Sequence, residues 1–211
     1  MSRSIPAAAL AALAIAAIGL SGCISLFPKS EPAQLYRFGA ADGRAEAAAK
    51  ARPYEVIQGA IDFNRAAAGD RILTINGAES AYIANSRWVS PAPALFEEAF
   101  HRAFINTPSA PRLTGMGRAS KAVAILKLDV DAFEARYEQG MEAAPTIVVR
   151  IRAAMASTRD RSLLDEQTFE ARRPASENRV SAIVQAYDAA TMDALGKLAE
   201  WAGQTAARAP S

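Results

Sequence analysis

The 211-residue chain carries 24 Lys and Arg against 22 Asp and Glu, a formal charge of +2, and its 51% apolar fraction is swollen by alanine. So even a balance gives no electrostatic reason to expect nucleic acid or an anionic membrane surface as the main partner. One cysteine excludes a disulfide framework and one histidine excludes a His-rich metal site, so stability must come from packing.

Met1-Ser2-Arg3 supplies a single positive charge, and an apolar segment from Ala7 to Leu20 leads into Leu20-Ser21-Gly22-Cys23. This is the layout of a secretory signal. The apolar run is too short to span a bilayer, which needs about 20 apolar residues. Leu-Ser-Gly followed directly by Cys resembles a bacterial lipobox, the substrate of lipoprotein signal peptidase. That resemblance implies cleavage after residue 22, diacylation of Cys23 on sulfur, and fatty acylation (palmitate or a similar chain) of the new amine. Several acyl chains, each burying methylenes at ~0.8 kcal/mol apiece, hold a protein on a membrane essentially permanently. Ile24, rather than Asp, follows the cysteine; by the usual sorting rule this implies the outer membrane, with the globular part in the periplasm. The plainer alternative is a free thiol beside a signal cut elsewhere. An exported chain with an odd cysteine needs an explanation, however, and lipidation supplies one.

Arg3 is the one charged residue in the first 22, so cleavage leaves 189 residues at +1, enough for one domain with a real core. Residues 23–33 carry Pro28 and Pro32 and read as a lipidated N-terminus and tether, in which ten extended residues reach roughly 30 Å. Leu35-Tyr36-Arg37-Phe38 alternates as a first strand. Gly39 to Arg52 is alanine-rich without a large apolar anchor and reads as a loop or weak helix. Strands follow at Tyr54 to Ile61, Asp70 to Ile75 and Ala81 to Val89, the last two joined by the turn dipeptide Asn76-Gly77.

The first firm helix starts at Ser90-Pro91, with Leu95, Phe96, Ala99, Phe100, Ala103 and Phe104 on one face. Asn106 to Ser120 is a Pro/Gly/Ser-rich loop. Ala122 to Tyr137 is a long β-rich stretch with Leu126, Leu128 and Val130 on one side. Thr146 to Ile151 and Ser162 to Phe169 form a hairpin turned at Thr158-Arg159-Asp160. The longest helix runs from about Ser176, a plausible N-cap, to Trp201. Residues 34–203 thus read as a single α/β domain built on one mixed sheet, with 204–211 as a flexible tail.

The order of these pieces resembles the ABC-type transport auxiliary lipoproteins, the PqiC-like outer-membrane lipoproteins. After the lipobox come Leu35-Tyr36-Arg37-Phe38, then Asn85-Ser86-Arg87-Trp88 leading through Pro91 and Pro93 into the Phe96 helix. Leu128-Asp129-Val130-Asp131-Ala132-Phe133-Glu134 runs into Thr146-Ile147-Val148-Val149, Phe169 closes the hairpin, and Leu198-Ala199-Glu200-Trp201 ends the helix. The alanine-rich 39–52 segment has no counterpart in that pattern. The resemblance implies a three-layer α/β fold with a mixed sheet and a role without catalysis, as an accessory to lipid transport across the envelope. It further implies MCE-domain tunnel proteins as partners, sometimes with an inner-membrane permease and ATPase. By the same analogy, a homo-oligomeric ring matched to the tunnel is allowed.

Searched on their own terms, the residues offer little chemistry. His101 sits beside Phe100 as a surface or boundary histidine, and no Gly-x-Ser-x-Gly elbow accompanies it. Asp129 and Asp131, two apart on a strand, share a face and could take a cation, or simply be solvated. Gly115-Met116-Gly117 lacks the third glycine and the context of a dinucleotide loop. Arg150, Arg152, Arg159, Arg161, Arg172 and Arg173 cluster on one hairpin, either to meet acidic surfaces or lipid phosphates, or as solubilising charges at a sheet edge. No cofactor is implied. Three readings stand: a transport accessory, a module that binds lipid by itself, and a periplasmic hydrolase that the missing motifs disfavour.

Overall fold

The computed structural model describes residues 32–39, 52–118 and 121–209, all but Pro32 within the unit Ala33–Ser211. The elements, in order, are β1 (Gln34–Tyr36), β2 (Glu55–Phe63), β3 (Arg71–Asn76), β4 (Glu79–Trp88), α1 (Ala92–Asn106), β5 (Arg112–Thr114), β6 (Ala122–Arg136), β7 (Thr146–Ser157), β8 (Leu163–Pro174) and α2 (Val180–Arg208). The class is α/β, with one mixed eight-stranded sheet, a mid-chain helix and a long C-terminal helix, as the sequence predicts.

β6 organises the sheet. Its 15 residues span about 50 Å at the usual strand rise. One edge pairs antiparallel with β7 from Ala124 to Arg136, and β7 pairs antiparallel with β8. The other edge is shared: β2 runs parallel along Ala122 to Val130, and β3 runs parallel beside Ala135 and Arg136. β5 extends the sheet beyond β2, while β4 and then β1 extend it beyond β3. The fork between the two wings coincides with a bulge in β6 between Val130 and Ala132. Asn64 closes the gap, its backbone N–H donating to the Val130 carbonyl (2.9 Å) and its side-chain amide to the Asp131 carbonyl (3.0 Å).

An extra residue reverses which side chains face which way. Ala124, Leu126, Leu128 and Val130 face the core before the bulge, and Phe133 and Ala135 face it afterwards. Phe133 thereby becomes the hub of an aromatic cluster. Its ring centroid lies 5.0 Å from Phe38, 5.4 Å from Phe63, 4.9 Å from Tyr187, and 6.4 Å from both Trp88 and Phe96. Those rings come from β2, β4, α1, α2 and the residues after β1, so both helices meet the sheet at this one side chain. Tyr187 is wholly buried and donates to the Leu73 carbonyl (3.2 Å); burial raises its phenol well above the usual tyrosine range.

α1 buries the stripe Leu95, Phe96, Ala99, Phe100, Ala103 and Phe104, as its spacing predicts. No basic residue lies in its last turn; Arg52 does that work from a distance. The Arg52 guanidinium donates to the carbonyls of Phe104 (2.6 Å) and Ile105 (2.7 Å), where the helix leaves acceptors unpaired. α2 differs from expectation at both ends. It starts at Val180 without a side-chain cap, so Ser176 is not its N-cap. It also continues to Arg208, so residues 204–208 are its last turn and no tail, with Thr205 and Ala206 buried. Alanine, glycine and threonine there carry no large apolar signal, but they permit close approach: a Cβ on Gly203 would lie 2.0 Å from the Ser109 carbonyl oxygen.

β7 and β8 outrun their predicted ends because small or flexible apolar residues, Ala153 and Met155 on β7 and Ala171 on β8, keep the inward alternation going and stay in the core. The loop predicted between Asn106 and Ser120 holds the short strand β5 and a 3-10 turn at Met116–Arg118. Of the alanine-rich 39–52 segment, residues 40–51 lie outside the described residues.

Four substitutions test this packing by chemical denaturation. Phe133→Ala should cost about 3–5 kcal/mol, the range for truncating a central aromatic. Gly203→Ala should cost about 3 kcal/mol through overpacking against backbone, while Gly196→Ala, with open space around it, should add about 0.5–1 kcal/mol. Arg52→Ala should remove about 1–2 kcal/mol, the value of charge-assisted bonds at a helix end.

Candidate functional site

Four consecutive residues fix the N-terminal edge of the domain to four different partners. β1 pairs parallel with β4, placing Tyr36 beside Trp88, and the Tyr36 carbonyl accepts from Val89 N–H (2.8 Å). Arg37 forms an ion pair with Glu98 of α1. Phe38 turns inward, 1% exposed, and packs edge-on against Trp88 at 5.0 Å. Gly39 then donates its N–H to an Asp188 carboxylate oxygen of α2 (2.6 Å). Its φ of +71° and a would-be Cβ 2.7 Å from the Ala99 Cβ leave room for glycine only. The predicted strand through Phe38 therefore stops at Tyr36, because Phe38 is worth more as a plug than as a ladder residue. Leu35 (63% exposed) and Val89 (50% exposed) leave apolar side chains in solvent beside this junction.

Sequence reasoning reads the aromatic alternation here but not the clamp. Asp188 lies 149 residues from Gly39, and no local pattern joins them. Cys23, the predicted lipidation residue, lies outside the described residues.

The other residues singled out in the sequence are engaged with each other. Asp129 and Asp131 both accept from the Arg152 guanidinium, at 2.5 and 3.4 Å. Asp129 above all, then Asp131, hold that guanidinium's proton more firmly than usual. Arg150 pairs with Glu170 (2.6 Å), Arg172 with Glu138 and Glu170, and Arg173 with Asp193 of α2 (2.9 Å). Arg159 and Arg161 occupy the β7–β8 turn, where Arg161 has a φ of +61° and donates its N–H to the Ser157 carbonyl. This hairpin face is a lattice of mutually neutralised charge, a poor trap for phosphate.

His101 is exposed on α1, where its Nε2 bonds the Gln58 side-chain oxygen (2.5 Å); Gln58 in turn donates to Glu97 (2.7 Å). The chain of contacts has no nucleophile in it. It borders a cleft of about 410 Å³ lined by Gln58, Gly59, Ile61, Pro91, Pro93 and Glu97. Gly115 precedes the 3-10 turn and Gly117 lies within it, and among the described residues a Cβ on either would meet open space. Among the described residues, no group of His, Cys, Asp and Glu could hold a metal ion, and no helix is long and apolar enough to cross a membrane.

No curated protein sequence matches the chain. Protein XCC0632 from Xanthomonas campestris, a DUF330 protein, superimposes with a TM-score of 0.64 at 20% identity, covering 74% of this chain and 86% of its own. An uncharacterized protein superimposes with a TM-score of 0.62 at 11% identity, covering 81% and 99%. These likenesses establish a shared fold. The family model for the ABC-type transport auxiliary lipoprotein component matches residues 36–199, from the junction at Tyr36 nearly to the end of α2. The chain therefore belongs to the ABC-type transport auxiliary lipoprotein family, whose members are components of transport systems rather than catalysts and work alongside transporter proteins.

Proposed function

We propose that this protein is a non-catalytic lipoprotein anchored in the outer membrane through Cys23, with its domain in the periplasm, serving an MCE-type lipid transport system. Residues 1–22 would be its signal, residues 23–33 its tether and the remainder its docking domain. Its partner would be an MCE-domain tunnel protein, with an inner-membrane ABC permease and ATPase beyond it. The family match over residues 36–199 carries this reading. The stitched junction supports it: Arg37, Phe38 and Gly39 fasten the start of the domain to α1, the core and α2.

The alternative, a lipoprotein that carries lipid without a transporter, would need an apolar cavity between sheet and helix. That interface is instead filled by side chains with no solvent exposure, including Tyr187, Leu195 and Leu198 of α2 and Ile147, Ile151 and Met155 of β7. The accessory role is better supported.

Cys23→Ala should leave the unfolding free energy unchanged within about 0.5 kcal/mol, while moving the protein from the membrane to the soluble periplasmic fraction and abolishing function. Cross-linking at native expression, followed by affinity purification and mass spectrometry, should recover the MCE-domain protein. Recovery of the acylated protein alone, with bound lipid, would favour the carrier instead.

A further inference from the structure

β2 is paired on both sides for only part of its length. β6 runs along one edge, while β5 covers the other at Glu55, Val56 and Ile57 and ends at Thr114. From Gln58 to Phe63 that second edge meets no strand among the described residues. Burial follows the pairing: Val56 and Ile57 are buried, and every residue from Gln58 to Phe63 is half-buried or exposed. The cleft of about 410 Å³ opens beside this uncovered stretch, between Gln58, Gly59 and Ile61 of β2 and Pro91, Pro93 and Glu97 around the start of α1.

The chemistry of the cleft is one-sided. Glu97 is the one charged residue lining it. Among the described residues no Lys or Arg pairs with that carboxylate. Its side-chain partner is the neutral Gln58 amide, which donates to it at 2.7 Å and whose oxygen is held by His101 Nε2. A carboxylate has about four acceptor sites, so Glu97 is oriented but far from saturated. The helix start beside it has nothing to offer an anion. Pro91 and Pro93 carry no N–H, Ala92 donates to the Gly69 carbonyl, and Ala94 and Leu95 donate to the Pro91 carbonyl.

We propose that this cleft takes an extended peptide segment of a partner protein, which adds as a strand to β2 beyond β5 and sets one Lys or Arg against Glu97. In this mode of recognition the main-chain groups of a free sheet edge supply affinity, and a pocket for alternate side chains supplies specificity. Ile61, Pro91 and Pro93 flank the aliphatic stem of the basic side chain, and Glu97 meets its charged end. Gly59 leaves bare backbone at the cleft, since a Cβ there would lie 2.8 Å from the Leu126 carbonyl oxygen. The β2 bulge between Gln58 and Ile61 discourages long, indiscriminate strand pairing, so selection falls on the cleft. That a protein partner exists rests on the accessory role proposed above; the chemistry of the cleft does not.

The probe is a library of phage-displayed random decapeptides, panned against the full chain in mild detergent. Enriched sequences should carry one Lys or Arg among β-branched and aromatic residues. The selected peptide, followed by fluorescence anisotropy, should bind Glu97→Gln at least about tenfold more weakly, the loss expected for one charge-assisted bond. Glu97 is exposed, so the thermal melt should not change. Glu97→Lys should instead prefer a peptide with Glu in place of the basic residue. N-methylating one alternating set of the peptide's backbone amides should abolish binding, and methylating the other set should not. Panning that enriches nothing above a detergent control overturns the proposal. So does a selected peptide that binds Glu97→Gln as tightly as the wild type, or that tolerates both methylated sets. A Glu97 requirement found with phosphatidylethanolamine vesicles and not with peptides would overturn it in favour of a lipid amine headgroup. A change of sedimenting mass in Glu97→Lys would overturn it in favour of a second copy of the chain. None of these outcomes alters what cross-linking recovers, so failure of the cleft and failure of the accessory role are read separately.

Discussion

The packing of one side chain, Phe133, determines what the rest of the domain can do. It reaches the core only because β6 carries a bulge just before it, and the same bulge divides one edge of that strand between β2 and β3. Without the extra residue, Phe133 would point away from both helices. With it, rings from β2, β4, α1, α2 and the segment after β1 converge. Topology and core packing are thus two results of a single backbone irregularity, supported by the two hydrogen bonds of Asn64.

Charge is organised as economically as the core. Helix α2 covers one side of β7 and β8, while the other side displays Arg150, Arg152, Glu170 and Arg172 with carboxylates in reach of each guanidinium. Such exposed pairs contribute little to stability individually. Their larger effect is to leave a nearly neutral, well-hydrated surface that suits a protein working close to a membrane without adhering to its headgroups.

Much of this was legible in the sequence, for identifiable reasons. Helix α1 announces itself by large apolar residues at helical spacing, and β6 and β7 by long β-rich runs. The order of aromatic landmarks pointed to the family that the residues 36–199 match supports. Periodicity cannot show a bulge, however, so the face of Phe133 could not be read from Leu126, Leu128 and Val130. Nor could it show the end of α2, where contact is made by Gly203 and Ala206 and carried by the absence of side chains. The clamps made by Arg52 and Asp188 join residues roughly fifty and one hundred and fifty positions apart, beyond any local rule.

The junction at residues 34–39 has a mechanical meaning. β1 lies parallel to β4, so a pull along its axis from the N-terminal side loads their hydrogen bonds together, in shear, rather than peeling them one at a time. Behind those bonds stands Phe38, too large to slide out past Trp88 and Phe133 without opening the core. Asp188, by holding Gly39, spreads the same load into the longest helix. A domain built this way resists tension at the very point where a tether would apply it, and it yields there only when its centre yields.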